Sequence, residues 1–255
     1  MSGGVRIERR GAVAVLRLDK ARGNAIDEPL VEALLAAVDE LAPDAGVRGV
    51  LLASAHPKLF CPGLDLVSLA EYDRPAMWRF LARFEAATLA LYGMRQPLVA
   101  AVAGAAVAGG CVLALTADLR LLRQGSPIGL NEVRVGIPLP WPVAVLLRES
   151  VPRSALTRVA LLGHNVTDDE ACRLGLVHEV LPADRFEDEA LARLEELAER
   201  DPTAVAVTKR YLREAALAEM HAGGDERRAE FLDAWFSPAG QEKIRETVAA
   251  LTKRA

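Results

Sequence analysis

Val102 to Asp118 reads VAGAAVAGGCVLALTAD. The residues leading into it, Leu98-Val99-Ala100-Ala101-Val102, form an extended apolar run. The chain then breaks at Gly104 and at Gly109-Gly110 before continuing in helix-forming Leu and Ala. A strand that feeds a glycine turn at a helix start leaves backbone N–H groups pointing into a site, reinforced by the positive end of the helix dipole. Paired glycines let a ligand approach that backbone because no Cβ stands in the way. Such a turn favours an oxygen carrying negative charge. Competing readings of the same residues fare unevenly. Residues 96–117 carry no charge and are long enough to span a bilayer, but they are rich in Ala and Gly and lack an aromatic belt. The Gly104-to-Gly109 spacing suits a phosphate loop, yet Gly110-Cys111 stands where Lys-Ser/Thr is required. A buried strand–turn–helix without a ligand stays open on this stretch alone.

A second stretch changes the balance. His56-Pro57-Lys58-Leu59-Phe60-Cys61-Pro62-Gly63-Leu64-Asp65-Leu66 follows the apolar strand Gly49 to Ala53 and leads into a short apolar helix. Two such turns, roughly 45 residues apart, can offer one N–H each to a single oxygen, which is how an oxyanion hole is built.

Together these segments resemble the enoyl-CoA hydratase/isomerase (crotonase) family along nearly the whole chain. Arg22-Gly23-Asn24-Ala25-Ile26 is similar to the family's early Asn-Ala-Leu segment, and Phe60 to Leu66 to its Phe-Ser-Ala-Gly-Ala-Asp-Leu loop. Val102 to Asp118 resembles its Asn-Gly-x-Ala-x-Gly-Gly-Gly segment, and Ile128 to Pro138 its Pro-Glu-x-x-x-Gly-x-x-Pro segment. The resemblance implies an α/β fold, a spiral of strand–strand–helix turns over residues 1–195. A helical C-terminal region over 196–255 would make a trimer interface and cover the site.

Composition agrees with an enzyme of small molecules. The chain has 255 residues, 51% of them apolar, and a formal charge of −4. That charge argues against a nucleic-acid binder, which would show a basic face. Cys61, Cys111 and Cys172 are scattered without metal spacing or pairing, so neither a disulfide nor a metal site is expected. The N-terminus, MSGGVRIERRG, lacks the apolar core of a signal peptide, and a cytoplasmic protein is expected.

The remaining elements follow from periodicity and punctuation. Val5 to Arg10 and Ala12 to Leu18 alternate around Gly11 as a hairpin. Asp27 caps a helix whose stripe is Leu30, Leu34, Val38 and Leu41, and Pro75 opens another with Met77, Leu81, Phe84, Thr88 and Leu91 inward. Ser154 is expected to cap a helix reaching Leu162, and Thr167-Asp168-Asp169-Glu170 reads as a capping box with Gly175 at the stop. Beyond about residue 185 strands give way to helices. Val205, Tyr211, Leu212, Phe231, Leu232, Trp235 and Phe236 form broad apolar faces that predict a homotrimer or dimer of trimers.

By the resemblance, the oxyanion-hole donors are the backbone N–H groups of Leu64 and Gly109. Hydratases of this family use two glutamates, one just after the Gly-Gly-Cys turn and one in the Pro-Glu segment. Here Val112 occupies the first position and Glu132 keeps the second. Moving a double bond from C3 to C2 needs only one base, and Leu130-Asn131-Glu132 resembles the Δ3,Δ2-enoyl-CoA isomerase branch. A hydratase of unusual acid–base pattern and a non-catalytic acyl-CoA binder are the alternatives. Arg22, Ala25, Lys58, Asp65, Trp141 and Lys253 are expected against an acyl-CoA substrate, as is Lys20 at its charged end. Asp65 is also a natural helix cap, and Trp141 a wall or core residue. No cofactor is implied, because coenzyme A is part of the substrate.

Overall fold

The computed structural model describes residues 4–21 and 23–253. Strands β1 (Val5–Arg10) and β2 (Val13–Leu18) form the expected antiparallel hairpin, with Gly11 turning at φ +60°. Helix α1 (Glu28–Leu41) starts at Asp27, whose carboxylate accepts from the Leu30 N–H at 3.1 Å, and its predicted stripe is buried. Strands β3 (Gly49–Ser54) and β4 (Leu59–Cys61) come next, followed by α2 (Leu66–Leu69) and α3 (Arg74–Tyr92). The uncharged run then divides into β5 (Leu98–Val102), β6 (Ala105–Val107) and α4 (Gly109–Leu115). No helix among the described residues is long and apolar enough to cross a membrane.

Strand β7 (Leu119–Arg123), β8 (Ile128–Gly129) and α5 (Glu132–Val135) complete the next turn. Helices α6 (Trp141–Ser150) and α7 (Asp168–Arg173) lead to strand β9 (Glu179–Leu181). Four helices end the chain: α8 (Phe186–Ala198), α9 (Pro202–Ala222), α10 (Gly224–Trp235) and α11 (Pro238–Thr252). Successive turns deposit a long strand in one sheet and a short strand in another. The six-stranded sheet runs β1-β2-β3-β5-β7-β9, parallel after its first pair, and the three-stranded parallel sheet runs β4-β6-β8. Both faces of the large sheet are covered. Leu16, Leu52, Ala100 and Leu122 face the main core, while Val15, Leu51, Val99 and Leu121 pack on Phe186, Ala190 and Leu194 of α8. Burial on both faces explains why these strands read as continuous apolar runs.

The structure departs from the sequence reading at three places. Between Pro152 and Leu162 the chain forms a 3-10 turn (Arg153–Ala155) and a π turn (Thr157–Leu161), and Ser154 supplies no cap. Thr167 precedes α7 but its hydroxyl makes no capping bond. Asp168 adopts φ +47° and accepts from the Gly125 N–H at 2.7 Å, while Glu170 binds Arg158 instead of reaching back. In the tail, Phe231, Leu232 and Trp235 are buried within the chain itself, because α10 packs on α3 and α6. Tyr211 and Leu212 on α9 remain exposed, at 64% and 76%.

Asp118 does more than turn the chain into β7. One carboxylate oxygen accepts from the Leu98 N–H at 2.7 Å and from Lys209 Nζ at 2.6 Å, and the other meets Arg213 at 2.6 Å. This cluster ties α9 to the sheet. Lys209 is pushed down to about 8, chiefly by burial. The equally buried Arg120 donates to backbone carbonyls of Ala117, Leu176 and Gly175, where helices α4 and α7 end.

Candidate active site

The three short strands end at Cys61, Val107 and Gly129, side by side in one sheet. The segments that leave them are Pro62 to Asp65, Ala108-Gly109 and Leu130 to Glu132. Parallel strands present their carboxyl ends together, so residues far apart in sequence meet at one rim.

Leu64 is held by a neighbouring strand-like bridge. The Ile26 N–H donates to the Gly63 carbonyl at 2.8 Å, and the Asp65 N–H to the Ile26 carbonyl at 2.8 Å. Because N–H directions alternate along extended backbone, the Leu64 N–H points away from Ile26. It has no hydrogen-bond partner among the described residues, and neither does the Gly109 N–H at the start of α4. The two turns touch: a Cβ added at Gly109 would lie 3.3 Å from Gly63 Cα and 2.8 Å from Ile26 Cδ1. Ala108, between them, is held at φ +49°, ψ −121°, a region that costs a residue with a side chain roughly 1–3 kcal/mol. Its own N–H donates to the Gly129 carbonyl at 2.8 Å, joining the Gly109 turn to the strand that leads to Glu132.

Leu64 and Gly109 both line a cavity of about 840 Å³. Leu64, Gly109, Val112 and Glu132 line it together, with Ala25, Asp65 and Asn131. Glu132 is only 6% exposed, and its Oε2 is buried without a protein partner. Burial pushes its carboxyl up to about 7, with its own backbone N–H acting weakly in the opposite direction. The Cys111 thiol one turn away is raised as well, by burial first and by Glu132 second. Asp65 also lines the cavity, but its carboxylate accepts from the Ser68 N–H at 3.3 Å and the Ser68 hydroxyl at 3.1 Å, capping α2. Among the described residues lining the cavity, Glu132 is thus the carboxylate that no other residue's hydrogen bond holds. No group of three or more His, Cys, Asp or Glu among the described residues is arranged to hold a metal ion.

Other expected residues fall elsewhere. Trp141 does not line the cavity: its indole N–H donates to the Glu219 carbonyl at 3.1 Å and its ring lies under Arg227, because α6 packs on α9 and α10. Lys58 and Lys253 are exposed and do not line it either, although their neighbours Leu59 and Thr252 do. Lys20 Nζ is taken up by the Ala25 carbonyl at 2.7 Å and Asp27 at 2.8 Å. Arg22 lies outside the described residues. The sequence reading placed the helical tail over the site without naming the residues that line it: Phe231 of α10 and Thr247, Leu251 and Thr252 of α11 line the cavity, as does Asn131 next to Glu132. The Ile244, Val248 and Leu251 spacing marks an apolar stripe on α11, but no periodicity says which surface that stripe covers.

Comparison with known proteins places the whole chain in one family. The family model for enoyl-CoA hydratase/isomerase matches residues 8–253. A putative enoyl-CoA hydratase of Thermus thermophilus is 34% identical over 242 residues, 94% of each chain. Human mitochondrial enoyl-CoA delta isomerase 1 is 30% identical over 210 residues, 82% of this chain and 70% of the human one. The crystal structure of human mitochondrial delta3-delta2-enoyl-CoA isomerase superimposes with a TM-score of 0.95 at 27% identity, covering 98% of this chain and 99% of that one. The chain belongs to the enoyl-CoA hydratase/isomerase family.

Proposed function

We propose that this member of the enoyl-CoA hydratase/isomerase family is a Δ3,Δ2-enoyl-CoA isomerase with Glu132 as its single acid–base group. The thioester oxygen accepts from the Leu64 and Gly109 N–H groups. Glu132 takes a proton from C2, the negative charge moves onto the thioester oxygen as an enolate, and the same carboxyl returns the proton at C4 as the double bond shifts. Removing one comparable donor from such a hole raises the barrier by about 3–4 kcal/mol. One observation carries the choice of isomerase: Val112, where hydratases of the family carry their first glutamate, lines the same cavity as Glu132 with an apolar side chain. A carboxyl pushed up to about 7 is also suited to both accepting and returning a proton near neutrality.

The name of the Thermus relative favours a second reading, hydration of a 2-enoyl-CoA. Adding water asks for that water to be positioned and protonated together, and Val112 can do neither. Purified protein given 3-enoyl-CoA and 2-enoyl-CoA side by side separates the readings. Conversion of the first with poor hydration of the second is the expected result; strong hydration moves the assignment to the hydratase, and no turnover of either to an acyl-CoA binder. The exposed Tyr211 and Leu212 on α9 support assembly as a homotrimer or dimer of trimers.

A further inference from the structure

The cavity is graded in exposure. Val67 and Leu251 line it at 41% and 46% exposed, whereas Phe84 and Phe231 line it at 2% and 3%. The buried lining residues come from two sources: the segments that follow the short strands, with Gly109, Val112 and Glu132, and helices α3 and α10, which supply Phe84 and Phe231 as an aromatic wall. Phe84 stacks on Phe80 with ring centroids 6.4 Å apart, and Phe231 on Trp235 at 6.1 Å, so each has an aromatic neighbour on its own helix.

Close to this wall lies a buried ion pair that the proposed chemistry does not use. Arg228 Nε and one terminal nitrogen donate to the same oxygen of Glu85, at 3.1 and 2.7 Å, with side chains 11% and 8% exposed. Glu85 follows Phe84 on α3, and Arg228 precedes Phe231 by three residues, on the same face of α10. The Arg228 guanidinium also lies 4.9 Å from the Trp78 ring centre on α3 and donates to Asp225 at 2.7 Å. A buried pair adds little net stability over apolar residues of the same size, but breaking it is costly, so it selects one placement of its two helices.

We propose that Glu85 and Arg228 are positioning residues that set the depth of the acyl pocket. By locking α10 onto α3 they hold Phe84 and Phe231 as a rigid end wall, and the protein takes acyl groups up to a defined length and excludes longer ones. This rests on the cavity being an acyl-CoA site, so the test reads binding rather than turnover.

Titration calorimetry with saturated straight-chain acyl-CoA thioesters of increasing length should show Kd tightening about fourfold per methylene. The gain should stop abruptly where the chain end meets the wall. In Glu85→Ala, thioesters beyond that break should bind about tenfold more tightly than to the unaltered protein, the scale of one misfitted methylene. Shorter ones should stay within about twofold. Glu85→Gln keeps an acceptor for Arg228 while Asp225 still pairs the guanidinium, and should restore the original break. Phe231→Ala should move the break to longer chains directly. If Glu85→Ala does not fold, the double variant Glu85→Leu with Arg228→Met takes its place, replacing the pair by apolar side chains. The original break persisting in folded Glu85→Ala or in the double variant that replaces it, or no break in the unaltered protein, overturns the proposal. Failure of the unaltered protein to bind any acyl-CoA would instead overturn the functional reading beneath it.

Discussion

The side-chain amide of Asn24 donates to the Phe60 carbonyl at 2.9 Å, joining the early loop to the loop that carries Leu64. The same nitrogen donates to Ser54 Oγ at 2.9 Å, and Asn24 Oδ1 accepts from the Lys20 N–H at 2.9 Å. Asn24 is fully buried at φ +66°, a conformation Asn tolerates better than most residues. Three segments thus converge on one side chain, which holds the loop that leads to Leu64. Asn24→Ala should cost about 2–4 kcal/mol in urea unfolding, since it orphans buried backbone groups. Turnover should fall about a hundredfold through misplacement of the donor, with a smaller change in acyl-CoA affinity. A variant with unchanged kcat would show that the loop holds itself.

Much of this was legible before any coordinates. The buried strands betray themselves as unbroken apolar runs, and the Gly63-Leu64 and Gly109-Gly110 turns mark two segments that line the cavity. Val112 and Glu132 could be weighed because they stand at fixed offsets from those turns. The misreadings share a cause. Thr167 and Glu170 have the right spacing for a capping box, but Gly125 and Arg158, distant in sequence, claim Asp168 and Glu170. Trp141, likewise, is drawn off by Glu219 and Arg227. Local pattern specifies an element; long-range competitors decide where its side chains go.

The adjacent glycines of α4 should fail differently. A Cβ at Gly110 would sit 2.0 Å from the Cys61 carbonyl oxygen, a backbone atom that cannot yield without moving β4. Gly110→Ala should therefore lower stability by about 3 kcal/mol or more. At Gly109 the nearest atom is the end of the Ile26 side chain, 2.8 Å away, which can rotate. Gly109→Val should fold and lose turnover, because the new side chain bars the thioester oxygen from the amide. Thermal melts beside single-turnover assays distinguish the two, and a Gly109→Val protein of wild-type rate would remove Gly109 as a donor.

Asp118 is the anion on which Lys209 and Arg213 of α9 both close. Asp118→Ala would leave two buried cations without a carboxylate, a loss of about 3–5 kcal/mol by analogy with broken buried pairs. The loss should be concentrated at α9. Hydrogen exchange should show amides between Lys209 and Arg213 deprotected relative to those of β3; uniform deprotection would mean that α9 is not separately anchored.

The acid–base role proposed for Glu132 carries a cost in stability. As a base it must be ionised, and burial holds its carboxyl near 7, so kcat/KM for 3-enoyl-CoA should rise with pH through about 7 and then level. The linkage to stability has the opposite sign. A carboxyl raised above its ordinary 4.5 favours the folded state fully at pH below 4.5, and that contribution disappears as pH rises through about 7. At pH 8 the ionised buried group should destabilise the fold by about 3 kcal/mol relative to a neutral one. Glu132→Gln keeps size and hydrogen bonding but cannot ionise. It should slow isomerisation by about 10²–10⁴, leave acyl-CoA binding nearly unchanged, and unfold in more urea than the unaltered protein at pH 8 but not at pH 4. Isomerisation persisting in Glu132→Gln would exclude it as the base. Equal urea midpoints for the two proteins at pH 8 would show that the carboxylate is ionised there without strain, and that its burial does not tune the reaction.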